Sequence, residues 1–254
     1  MQVSFALKQA EPWAPAGFEL AWDQMELPWN EKTGLKVMVV SQAPEIKEEA
    51  EKLIISGSGF QYTFDKNSGR LVTMDYQGKQ LLTGGPRLNV WRAPLANETD
   101  QWAMGWSNLT NKTQGLGYFP ASGWYAYGLD NLKFKLDKIL FSKEGIAIKV
   151  EVWDHAEGNT YFTSFDNHYI YTIQADGSVN LEHTVTPQGF MPSWLPKTGL
   201  QWNMDKSMNQ VNWYGRGPFE TYPDRKTGAK INVYKSTVQD MKEPYLVPQD
   251  YGCR

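Results

Sequence analysis

Apolar and polar residues alternate along much of this 254-residue chain, and elsewhere short β-branched and aromatic runs end at Gly, Asn, Asp or Pro. A period of two sends successive side chains to opposite faces of a pleated strand, so the pattern predicts an all-β protein. Strands are expected at Phe60–Asp65, Lys133–Leu140, Ile146–Trp153, His168–Gln174, Ser178–Val185 and Gln210–Tyr214. Turn sequences lie between several of them: Lys66-Asn67-Ser68-Gly69, Ser142-Lys143-Glu144-Gly145 and Ala175-Asp176-Gly177. Connections this short make hairpins, so neighbouring strands should run antiparallel.

The N-terminal part has its own character. Within Gly17–Leu27, Phe18, Leu20 and Trp22 alternate with Glu19, Ala21 and Asp23 until Pro28 stops the strand, and Lys36–Val40 offers a second short one. Two or three strands cannot close a core, so this piece is expected to belong to a sandwich with further strands upstream, or to pack onto the next domain of the chain. Pro44–Lys52 is rich in glutamate and lysine and reads as an exposed linker or a short solvated strand. The expected boundary falls there, giving domains at residues 1–43 and 44–254. Gly84–Gly128 is long, aromatic, weakly periodic and broken by glycines, the character of a structured loop with a function.

Composition narrows the partners. A net charge of −3 gives no basic footprint for a phosphate backbone, so nucleic acid is not expected. No apolar run approaches the roughly 18 to 20 residues that span a bilayer, and Met1–Ala10 lacks the pattern of a signal peptide. The single cysteine, Cys253, excludes an internal disulfide and a cysteine zinc site. Sequons stand at Asn97, Asn108 and Asn111, a motif too short to carry weight.

Candidate chemistry is sparse. His155, His168 and His183 have no metal-ligand spacing, and His168 and His183 lie on expected strands, where a hydrogen-bonded structural histidine is the usual case. Neither a metal nor another cofactor is expected. Glu98, Asp100, Glu220 and Asp224 lie outside obvious surface runs, with turn capping and ion pairing as their expected roles. Trp91, Trp102, Trp106 and Trp124 could offer faces to pyranose rings, against a general tendency of tryptophan to pack in cores. No nucleophilic-serine, nucleotide-binding or dinucleotide-binding motif occurs.

Two segments go further. Val90-Trp91-Arg92-Ala93-Pro94-Leu95-Ala96-Asn97-Glu98 resembles the R-A-P-x-x-N signature in the last domain of family-two β-galactosidases, and Trp213–Arg225 resembles that domain's W-x-G-x-G-P-x-E-x-Y-x-D-R signature. The second rests on Gly215, Gly217, Pro218, Glu220, Tyr222, Asp224 and Arg225. Supporting likenesses are Phe64–Gly69, Gln80–Leu82, Leu195–Gly199 and Tyr245–Gln249, while Gly17–Gln24 resembles the end of the preceding small sandwich domain. The resemblance implies a β-supersandwich of the galactose mutarotase type, incomplete at its C-terminus, preceded by the tail of an immunoglobulin-like sandwich. It implies that the two catalytic glutamates of a retaining mechanism reside on a barrel domain, so none of this chain's residues is expected to be catalytic. Arg92, Asn97, Glu98, Asp100 and Trp102 are the residues expected beside the substrate. The implied partners are a galactoside, the barrel and, through unpaired strands, further copies of the chain. A bacterial parent of this kind would be cytoplasmic or periplasmic. The competing readings are a stand-alone carbohydrate-binding module and a mutarotase-like epimerase using a histidine with Glu220.

Overall fold

In a computed structural model, the described residues are 1–28, 42–95, 98, 120–159, 163–192, 194–222, 225–246 and 250. They form an all-β protein of antiparallel sheets. The expected strand at Lys36–Val40 lies outside them, as do Asn97, Asp100, Trp102, Trp106, Asn108, Asn111, Asp224 and Cys253. The chain divides into two compact units: the N-terminal segment groups with Asn209–Glu243, and the segment ending at Met208 groups with residues 244–250.

The larger unit is a sandwich. Its six-stranded sheet holds β3 (Glu45–Glu48), β4 (Lys52–Gly57), β5 (Phe60–Asp65), β6 (Leu71–Tyr76), β7 (Lys79–Asn89) and β12 (Gly199–Met204) in the order β12-β7-β6-β5-β4-β3. Its four-stranded sheet holds β8 (Lys133–Glu144), β9 (Ala147–Glu157), β10 (Thr163–Ile173) and β11 (Val179–Gly189) in the order β11-β10-β9-β8. Hairpin meanders dominate both, because each turn sequence reverses the chain onto its neighbour. The stretch read as linker or solvated strand contains β3, a four-residue strand.

Alternation decides which side chains enter the core. In β9, Ile148, Val150, Val152, Asp154 and Ala156 face inward while Lys149, Glu151, Trp153 and His155 face out. In β10, Phe165, Asn167, Tyr169, Tyr171 and Ile173 do the same opposite them. These meet Leu53, Ile55, Phe60, Tyr62, Phe64, Leu71 and Leu82 of the other sheet, with Phe64 and Tyr171 edge to face at 5.1 Å. Each such aliphatic or aromatic side chain contributes roughly 1.5–3 kcal/mol by leaving water. The Asp176-Gly177 turn is clamped to this core: the Tyr62 hydroxyl donates to the Gly177 carbonyl at 2.5 Å, and Asp176 accepts from the Ser178 N–H at 2.9 Å. Burial pushes the Tyr62 phenol up to about 12, which keeps it a proton donor.

A second cluster gathers at one end of the sandwich. Leu88 and Val90, at the end of β7, pack with Trp124 of a short helix, α1 (Pro120–Ala126), and with Leu129, Ala156 and Phe165. The segment read as one long aromatic loop thus begins inside a strand and ends in a helix.

The smaller unit comprises two ribbons. β1 (Gln2–Ala6) pairs with β2 (Glu19–Gln24), narrower than the expected Gly17–Leu27, and β13 (Gln210–Gly217) pairs with β14 (Lys230–Thr237). Contacts between the ribbons include Lys230, which bonds Glu19 at 2.5 Å and lies 5.2 Å from the Trp22 ring.

Candidate functional site

The loop after β7 is organised by one arginine. The Asn89 side chain accepts from the Trp91 N–H at 3.1 Å, turning the chain out of the sheet, and Val90 is buried beside it. Arg92 then grips Glu98 with both terminal nitrogens: Nη1 donates to Oε2 at 2.6 Å and Nη2 to Oε1 at 2.5 Å. Its Nε donates to the Pro196 carbonyl at 2.8 Å. Glu98 Oε2 also accepts from the Leu95 N–H at 2.7 Å, and the Glu98 N–H donates to the Leu95 carbonyl at 3.0 Å, so Glu98 holds both backbone polar groups of Leu95. The pair is only about one-seventh exposed, 15% for Arg92 and 14% for Glu98. A planar fork on a carboxylate at that burial fixes orientation as well as charge.

Other resemblance segments meet here. Pro196 belongs to Leu195–Gly199, and the Asp250 N–H donates to the Ala93 carbonyl at 3.3 Å. The guanidinium of Arg92 lies 5.5 Å from the Trp124 ring, whose Nε1 donates to the Trp194 carbonyl at 3.1 Å. Trp124 is 1% exposed, so it cannot stack on a sugar; the sugar-facing role open to it in the sequence is corrected to core packing. Trp91 leans on Tyr125 with ring centroids 4.8 Å apart.

The second signature lies in the smaller unit. The Trp213 indole donates to the Arg216 carbonyl at 2.9 Å and stacks on Tyr234 at 5.4 Å. A Cβ at Gly217 would lie 2.8 Å from the Tyr234 ring and 3.2 Å from the Trp213 ring, so only glycine fits there. Gly217 and Pro218 are joined by a cis peptide. Arg216 Nη1 donates to the Lys226 and Ala229 carbonyls at 3.0 and 3.2 Å. Glu220, 6% exposed, accepts from Arg225 Nη2 at 3.2 Å, and the Arg225 N–H closes a turn onto the Tyr222 carbonyl at 2.9 Å. The Arg225 guanidinium lies 5.3 Å from the Tyr222 ring. Both signature glutamates are thus held by an arginine, which agrees with the ion-pairing role expected of them.

All three histidines sit on the four-stranded sheet. His155 Nδ1 lies 2.7 Å from Asp166, and His168 Nε2 lies 3.2 Å from Glu151 with its ring stacked on Trp153 at 4.2 Å. His183 faces the core side, stacks on Tyr169 at 4.2 Å and lies 3.0 Å from Asn167 Oδ1. Asn167 Nδ2 donates to Asp154 Oδ1 at 2.8 Å, so a buried polar row crosses β9, β10 and β11. Burial pushes the Asp154 carboxyl up to about 6 and the His183 imidazole down to about 4. Sequence reading misses this row, although Asp154 and Asn167 occupy core-facing positions of strands that the alternation locates.

Comparisons with known proteins assign the sequence to a family. The model of the β-galactosidase small chain matches residues 56–254, and that of β-galactosidase domain 4 matches residues 1–28. The chain belongs to the β-galactosidase small-chain family. Relatives of the small-chain sequence include the β-galactosidase of Priestia megaterium, 30% identical over 99% of this chain and 22% of the relative. That of Psychromonas ingrahamii is 28% identical over 100% of this chain and 24% of the relative, and that of Kluyveromyces lactis 25% over 93% and 22%. The chain spans less than a quarter of the length of these relatives. Both signature segments and the N-terminal strands lie inside the matched ranges.

Proposed function

We propose that this chain is a non-catalytic part of a retaining β-galactosidase, in which residues 1–43 are the tail of an immunoglobulin-like sandwich and residues 44–254 a galactose mutarotase-like supersandwich. The glycosidic bond is broken by two carboxylates on a separate barrel domain, and the chain alone does not hydrolyse galactosides. Its contribution is positional: Arg92 fixes the start of the loop that carries Asn97, Glu98, Asp100 and Trp102, and that loop flanks the sugar.

The observation that carries this reading is the partly buried Arg92–Glu98 clamp, in which both carboxylate oxygens are occupied by arginine and backbone donors. A carboxylate held this way is suited to shaping a pocket wall and poorly suited to attack an anomeric carbon or deliver a proton.

The test is a pair of assays. Chromogenic galactoside hydrolysis is measured with the chain alone and after mixing with a barrel-containing fragment of a β-galactosidase, while galactose and lactose are titrated into the chain calorimetrically. Activity only in the mixture is expected, and Arg92→Ala is expected to reduce it. Hydrolysis by the chain alone overturns the proposal, and tight sugar binding without the barrel replaces it with a stand-alone carbohydrate-binding module.

A further inference from the structure

The two sheets of the larger unit present four edges, and three carry a feature that discourages pairing. β3 is four residues long and charged, with Glu45, Lys47 and Glu48. β12 has register shifts at Gln201/Asn203 and Asn203/Met204. β8 shifts register between Leu136 and Lys138 and carries Lys133, Lys135, Lys138 and Lys143. β11 differs from all of them. It pairs with β10 over eleven residues without a shift, it contains no lysine or arginine, and its proline, Pro187, comes only near its end. Among the described residues, no strand lies on its other side.

Beside that edge lies an apolar groove of about 510 Å³, lined by Val179 and Leu181 of β11 and by Met74, Tyr76, Leu81 and Trp202 from the other sheet. A strand laid along β11 would complete its main-chain ladder and lower alternate side chains over this groove. Main-chain donors and acceptors and an apolar floor are therefore offered together, as in strand addition to an open sheet.

We infer that β11 is a self-association edge, at which a second copy of this chain adds its own β11 antiparallel and joins two four-stranded sheets into one. The strand suits itself as partner. Its only charged residue is Glu182, so like charges meet directly in the single register that opposes Glu182 to itself. Centring the pair on His183 sets Leu181 against the partner's Val185 on the groove side and Glu182 against the partner's Thr184 on the outer side. A two-fold axis normal to the sheet closes the assembly at two copies.

Sedimentation of the full chain up to about 100 µM, which registers even weak dimers, reads the association. The wild-type chain is expected to dimerise, and Leu181→Lys to raise the dimer Kd at least about tenfold. The new ammonium can reach water through the open groove of the monomer and is trapped in the dimer. Leu140→Lys, on the exposed β8 edge, is expected to leave the Kd unchanged. Hydrogen exchange on the wild-type chain supplies a readout that needs no variant: β11 amides gain protection as concentration rises. A monomer over the whole range, an association untouched by Leu181→Lys, or protection gained on β8 in place of β11 overturns the inference. None of these outcomes bears on galactoside hydrolysis, so the two proposals fail separately.

Discussion

The side-chain amide of Gln24 binds both backbone polar groups of Ile231: its Nε2 donates to the Ile231 carbonyl at 2.9 Å, and the Ile231 N–H donates to its Oε1 at 2.7 Å. A primary amide thereby imitates the backbone of a neighbouring strand and occupies part of the β14 edge. Gln24→Ala removes both bonds and reopens that edge. The expected cost is about 1–1.5 kcal/mol, seen as roughly tenfold faster exchange of the Ile231 amide hydrogen. Gln24→Glu keeps the acceptor and loses the donor, and is expected to fall between the two. Equal exchange in all three proteins would show that the clasp contributes nothing.

Arg92 and Glu98 form a second polar fixture, a two-pronged ion pair. Replacing Arg92 by alanine leaves a carboxylate that is 14% exposed without its fork, at an expected cost of about 2–4 kcal/mol in urea unfolding. Arg92→Lys keeps the charge, but a single ammonium cannot span both carboxylate oxygens and the Pro196 carbonyl, so it is expected to recover less than half of that loss. Full recovery by lysine would mean that charge alone matters there.

Gly177 tests the turn that local sequence makes most visible. Its φ of +83° disfavours any side chain, and an added Cβ would sit 2.7 Å from the Phe60 ring. Gly177→Ala is expected to destabilise the larger unit by about 1–3 kcal/mol, read by thermal unfolding. Gly145→Ala makes a sharp comparison. Its φ is +63° with nothing within 4 Å of the added carbon, so it should suffer the backbone penalty without the clash.

How much of the fold is legible in the sequence depends on the range over which its signals act. β8 to β11 are legible because alternation and turn residues are local, although each strand runs four or five residues further at one end than the pattern alone marks. β7 is not, because Gly84-Gly85-Pro86 reads as a stop; in the sheet, the irregular pairing with β12 at Asn203 and Met204 accommodates it. α1 is seven residues long with Gly123 inside it, and burial of Trp124 accompanies it where helix propensity is weak. At the site, Arg92 and Glu98 can both be singled out, but the pattern does not state their mutual grip. The clasp of Gln24 on Ile231 joins residues 207 apart, and no local rule points to it.

The row Asp154–Asn167–His183 predicts opposed responses to pH within one network. Asn167 uses its NH₂ on Asp154, so its Oδ1 must accept, and His183 supplies the proton from a neutral ring. The Asp154 carboxyl is raised from 3.8 to about 6, so the folded state holds a proton that the unfolded state has released, and this group's contribution to stability falls as pH rises through that interval. Burial depresses His183 from 6.5 to about 4, so the unfolded state takes up a proton that the folded state refuses, and its contribution falls as pH drops through that interval. Between about 4 and about 6 the two slopes oppose each other, and the wild-type chain should show little net dependence from this row. Single variants separate them. With His183→Gln, Asp154 remains and urea midpoints should fall as pH is raised across the window. With Asp154→Asn, His183 remains and they should rise. Arg70, whose positive charge favours the ionised Asp154, limits the first slope, so adding Arg70→Met to His183→Gln should steepen it. Slopes of the same sign in the two single variants would show that the row does not titrate as its burial dictates.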